Sequence, residues 1–156
     1  MNKFLKAILI IAIPPVVGAL SGFLIRNNLF IYEVLQKPPF SLPNNLFSVV
    51  WGVLYVAMGI ALYLFTTAEI SPDKKSHGLT VFAFQLLLNF FWPILFFNFR
   101  TFLLAFIELV VLFVFVAITV ARFYDAKKSA GILLIPYLLF LVYAGYLNFG
   151  VWFLNM

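Results

Sequence analysis

Five apolar stretches, each near the roughly 20 residues needed to cross a ~30 Å hydrocarbon core, confine this chain to one class of fold. They fall at about Phe4–Ile25, Asn44–Thr67, Leu79–Asn98, Thr101–Arg122 and Ala130–Leu154. Lipid offers no water to exposed backbone groups, and a helix satisfies its own. The expected fold is therefore all-α, an integral membrane bundle of five transmembrane helices forming one domain over residues 1–156. Hydrophobic residues make up 65% of the chain and charged ones 10%, against roughly 45–50% and about 25% in soluble domains.

The same composition narrows the chemistry. There is no cysteine, which excludes disulfides, thiolate metal sites and cysteine nucleophiles. A single histidine, His77, and five acids leave little for metal chelation or acid–base work, so no catalytic or metal-ligating residue and no required cofactor is assigned. The net charge of +5 comes from basic residues flanking apolar helices, which set membrane orientation rather than bind nucleic acid. Seven of the ten Lys and Arg lie on the side holding the N-terminus and the second and fourth connections. That bias predicts a cytoplasmic N-terminus and a long first loop outside. The chain also holds 21 Phe, 7 Tyr and 3 Trp, and such rings form either interfacial belts or walls for flat apolar ligands.

The connections differ in character. Lys3 and Lys6 followed by a short apolar run imitate a signal peptide, but apolar sequence continues past Pro14–Pro15 to Ile25, so a retained, proline-bent helix is expected. Residues 26–43 form a long segment with Pro38, Pro39 and Pro43. Asn27 or Asn28 can cap a short helix "LFIYEVLQ" there, and a lid over the bundle mouth is its natural use. Ala68–Gly78 reads as a polar loop, Arg100 marks a tight turn, and "RFYDAKKSA" reads as a basic connection.

"FQLLLNFFWPILFF" (84–97) places polar groups where a plain anchor would carry Leu. Gln85 and Asn89 share one helical face, with Trp92 following on the same side, an arrangement suited either to orienting a large ring or to tying helices together. Pro93 predicts a freed carbonyl and a kink at residue 89. Tyr137 and Asn148 read as bundle hydrogen-bonders. Glu108, an acid two turns into the fourth helix, is expected to be solvated or paired near Arg100. Ala144 and Gly145 let either a ligand or a neighbouring helix approach.

Three blocks carry a specific resemblance. Lys37-Pro38, Pro43, Val50-Trp51, Leu54-Tyr55, Met58-Gly59, Ala61 and Tyr63 form the first, Gln85 to Phe97 the second, and Pro136-Tyr137-Leu138, Leu147-Asn148 and Val151-Trp152 the third. In these blocks the chain resembles the TspO/translocator-protein family. The resemblance implies a five-helix bundle, often a homodimer, whose pocket opens beneath the first loop and accepts tetrapyrroles such as protoporphyrin or haem and benzodiazepine-like compounds. It implies ligand contacts at Tyr32, Pro43, Trp51, Tyr55, Asn89, Trp92, Phe96, Phe140, Ala144 and Leu147. Phe40, Leu42 and Phe140 stand where family members carry Trp, Pro and Trp, and Phe149 and Phe153 replace the Tyr and Arg of the animal sterol segment. A bacterial plasma-membrane protein is the resulting expectation. It would bind or transport tetrapyrroles, with light- and oxygen-dependent porphyrin degradation or a structural, lipid-organising dimer as alternatives.

Overall fold

The computed structural model describes residues 2–156. Helix α1 spans Lys3–Ile25, followed by a single tight turn at Arg26–Asn28 and the short α2, Ile31–Val34. Helix α3 spans Asn44–Thr66 and α4 spans Pro72–Pro93, running on into a wider π-type turn, Ile94–Asn98. Helices α5 (Phe102–Ala126) and α6 (Lys128–Leu154) complete the chain. Five of these, α1 and α3 to α6, are long and apolar enough to span a membrane. Their outward faces are Leu, Val, Ile and Phe, the surface that hydrocarbon tolerates.

Two connections are shorter than their polarity suggests. Most of the polar "SPDKKSHG" segment is helix, because Ser71 accepts the Lys74 N–H at 3.4 Å and Pro72 opens the first turn, where proline's missing donor costs nothing. The basic segment shrinks to one non-helical residue, Lys127, between α5 and α6. Gly131 allows that tight hairpin, since a methyl there would collide with the Tyr124 backbone. In the first loop, the expected cap is absent. Helix α2 has no side-chain cap, and the Asn28 amide instead donates to Asn98 Oδ1 at 2.8 Å, tying the loop to the end of α4. Arg100 does make the tight turn, with φ at 55°.

Prolines shape the packing by releasing carbonyls. Helix α1 continues through Pro14 and Pro15, and Pro15 cannot bond the Ile11 carbonyl four residues earlier. That oxygen faces α3 at Gly59, close enough that a Cβ on residue 59 would overlap it. Seven residues further along α1, Gly18 lies flat against the Tyr55 ring. The two helices thus pack antiparallel on glycine contacts.

Pro93 has no N–H to return to the Asn89 carbonyl, and directly after it the helix widens. The Ile94 N–H reaches Phe91, Phe99 closes the wide turn onto the Ile94 carbonyl at 3.0 Å, and the Ser21 hydroxyl donates to the Phe90 carbonyl at 3.0 Å. At the far end of the bundle Phe123 stacks on Phe65, centroids 4.1 Å apart, and on Phe82 at 5.5 Å.

Candidate functional site

A cavity of about 340 Å³ lies between α1, α3 and α4, near the first loop, within the lower part of the ~300–1,000 Å³ range of small-molecule sites. Its origin is a mismatch of side-chain size. Helix α1 contributes Pro15, Gly18, Ala19, Ser21 and Gly22, which are too short to fill the space, whereas α3 and α4 contribute Phe47, Trp51, Tyr55 and Trp92. Trp51 is the hub of the ring wall. Its centroid lies 5.9 Å from Tyr55, 6.5 Å from Trp92 and 5.6 Å from Phe140, and its plane is within 27° of the Trp92 indole. The Trp51 indole N–H is buried and has no hydrogen-bond partner among the described residues.

Behind this wall runs a chain of side-chain hydrogen bonds. Tyr55 donates to Asn89 Oδ1 at 2.8 Å, the Asn89 amide donates to the Tyr137 hydroxyl at 2.6 Å, and Tyr137 donates to Gln85 Oε1 at 2.9 Å. The chain links α3, α4 and α6 through the bundle centre. A second link joins α4 to α6, where Trp92 donates its indole N–H to Asn148 Oδ1 at 3.0 Å, and the Asn148 amide continues to the Phe102 carbonyl at 2.8 Å. Gln85 is 1% exposed and stands away from the cavity, so its role is to hold helices together. Asn89 does both, since it lines the cavity while both ends of its amide are taken by neighbouring tyrosines.

The whole bundle, from Ile10 to Phe153, matches the TspO/MBR family. The chain belongs to that family. Among its relatives, the tryptophan-rich protein TspO of Chlorobaculum tepidum is 36% identical over 80% of this chain and 78% of its own length. Protein CrtK of Rhodobacter capsulatus is 32% identical over 80% and 78%, and the human translocator protein 35% identical over 85% and 79%.

The TspO/MBR ligand contacts implied by sequence do not all meet in one place. Trp51, Tyr55, Asn89 and Trp92 line the cavity. Tyr32, Phe96, Ala144 and Leu147 surround a separate void of about 20 Å³ on the other side of Trp92. Pro43 borders a polar cleft at the rim, with Lys37 and Asn44, and Phe140 backs Trp51 from behind. Burial, and next the neighbouring Tyr143, push the Tyr32 phenol above its ordinary pKa, so it stays a donor and bonds the Leu42 carbonyl at 3.0 Å.

The proline segment of this TspO/MBR chain packs on α6. Tyr143 and Tyr146 donate to the Phe40 and Pro39 carbonyls at 2.7 and 2.9 Å, and Gly150 makes room for Pro38. Gln36 and Asn155 bond each other in both directions. Phe40 itself is 88% exposed, at φ 62°. Of the adjacent pair Ala144 and Gly145, Ala144 is buried in the bundle and Gly145 borders a shallow groove between α5 and α6. Glu108 is neither solvated nor paired with Arg100, since both its carboxylate oxygens are buried without a partner among the described residues.

The α1 face is the largest part of the lining that sequence reasoning missed, with Phe47, Ser48 and Gly52 on α3 and Phe97 after α4. The signal was present as the small-residue run Gly18-Ala19-Leu20-Ser21-Gly22, which marks where a helix cannot fill the space beside it.

The hydrogen-bond chain sets a clear expectation for Asn89→Leu. It leaves the Tyr55 hydroxyl without its acceptor, at a cost of roughly 1–2 kcal/mol, read as a lower melting temperature in detergent. Tyr55→Phe should cost less, because it spares the Asn89–Tyr137 bond, and the double variant little more than Asn89→Leu alone, because both lose the Tyr55–Asn89 bond. Additive losses would mean that the two side chains act independently.

Proposed function

We propose that this membrane protein binds, and in that capacity carries or senses, tetrapyrroles such as protoporphyrin and related flat apolar ligands, in the cavity between α1, α3 and α4. One observation carries the reading: the cavity is walled by the rings of Trp51, Trp92, Tyr55 and Phe47. Aromatic faces suit a broad ring. The translocator proteins among its relatives bear a name consistent with carriage.

A second reading, porphyrin degradation in light and oxygen, draws on the near-parallel Trp51 and Trp92 indoles lining the same cavity. The excited porphyrin would generate the oxidant, and the protein would supply orientation and oxidisable rings. Titration of the purified protein with protoporphyrin in the dark, followed by illumination, separates the two. Saturable binding with porphyrin absorbance lost no faster than in protein-free solution is the expected result. Protein-dependent conversion to a defined product would replace it with the enzymatic reading, and no dark binding would remove both.

A further inference from the structure

Beside the cavity, at the loop end of the bundle, lies a second hollow of about 540 Å³ with a different character. Its walls come from α2, the proline segment and the start of α3, and they are polar: Tyr32, Glu33, Lys37, Ser41 and Asn45 line it. Asn44 and Ser48 border both spaces, so the ring-walled cavity and the polar cleft adjoin along that edge of α3. The cavity alone, at about 340 Å³, is near the lower limit of small-molecule sites. A broader ring cannot lie wholly inside it, and Asn44 and Ser48 mark the side on which its edge meets a further opening.

Glu33 and Lys37 are the charged groups of the cleft, and their settings differ. Glu33 is exposed, where water and salt screen its charge. Lys37 is half-buried and held in place. Its ammonium donates to the Tyr32 carbonyl at 2.6 Å and sits 4.7 Å from the centre of the Tyr32 ring. An ammonium has three N–H donors, and this bond uses one. Tyr32 adds no competing charge, because burial keeps its phenol protonated.

We propose that the cleft takes the carboxylate of an amphipathic ligand whose ring body occupies the cavity, with the Lys37 ammonium as its counter-charge. The ligand class is a flat ring system carrying a short acidic side chain. An acid set deep among Trp51, Trp92 and Tyr55 would be stripped of water at high cost. Placed at the mouth, the same acid keeps part of its hydration and gains a charge-assisted hydrogen bond. The inference rests on the ring-binding reading of the cavity and adds the chemistry of the ligand's edge.

The test uses two matched pairs, protoporphyrin with its dimethyl ester and pyrenebutyrate with its methyl ester, bound in the dark and followed by quenching of tryptophan fluorescence. Each is measured in neutral detergent on the native chain, Lys37→Gln and Lys37→Arg. The native protein should prefer each acid to its ester. Lys37→Gln should weaken the acids about fivefold and the esters by less than about twofold, the scale of a partly exposed ion pair. Lys37→Arg, which keeps the charge, should hold the native preference. Equal weakening of acid and ester in Lys37→Gln would mean that Lys37 only fastens the loop through Tyr32, and it overturns the proposal, as does an unchanged acid preference. If the pyrenebutyrate pair behaves as expected while protoporphyrin binds none of the three proteins, the anionic subsite stands and the tetrapyrrole reading falls. Binding of neither pair removes both.

Discussion

Gly59→Ala is expected to unseat α1 from α3, lowering stability by about 3 kcal/mol and weakening ligand binding roughly tenfold. The added methyl would overlap the Ile11 carbonyl oxygen. That oxygen belongs to backbone held between two membrane helices, so it cannot turn away as the end of a side chain could. It faces α3 at all because Pro15 has no N–H to bond it. Moving α1 outward would also move Gly18 off the Tyr55 ring and shift the small-residue wall of the cavity, which links a stability defect to a binding one. Gly52→Ala is the matched control. It lies on the same helix and lines the same cavity, yet its added methyl meets nothing within 4 Å, so the ordinary helix gain of alanine over glycine, about 0.5–1 kcal/mol, should appear. Melting temperature and protoporphyrin affinity, measured on both variants, check the pair. A Gly59→Ala protein as stable as its Gly52→Ala counterpart would show that α1 does not dock at that glycine.

Phe123→Ala is expected to cost about 3–5 kcal/mol and to spare binding. Its ring is sandwiched between Phe65 and Phe82, nearly parallel to both at 5° and 13°, and it is fully buried. The three rings belong to α3, α4 and α5, so one truncation opens a hole where three helices meet. Gly78 is part of the same arrangement, because a methyl there would strike the Phe65 ring. The stack lies roughly 20 Å along α3 from Trp51, at the opposite end from the cavity. Protoporphyrin affinity of the folded fraction should therefore match the native protein, while the unfolding midpoint in detergent falls. A parallel fall in affinity would show that the two ends of the bundle move together.

The two expectations differ because the helices were legible to different depths. Apolar runs of spanning length located all five membrane helices within a few residues, except where polar segments proved helical: Ser71 and Pro72 start α4 well before Leu79, and α5 continues past Arg122 to Ala126. A polar residue at the end of a membrane helix is solvated whether or not it is helical, so hydropathy alone could not separate loop from extra turn. Helix spacing likewise put Gln85, Asn89 and Trp92 on one face, and that face is buried. Spacing could not say which partners the amides would choose. These side chains chose Tyr55 on α3 and Tyr137 and, through Trp92, Asn148 on α6.

What the sequence determined by itself was membership and material: five membrane helices, the TspO/MBR pattern, and a supply of rings and amides at fixed positions along each helix. These are one-dimensional properties, set by the period of the helix and the thickness of the bilayer. Only the tertiary structure decided where space is left over. A cavity is the difference between what facing helices supply and what their separation requires, and here that separation is set by glycine contacts at residues 18 and 59. For that reason the small face of α1 became a wall of the site, and Phe47 came to stand between two voids. Four of the expected contacts, Tyr32, Phe96, Ala144 and Leu147, lie behind it rather than beside Trp51.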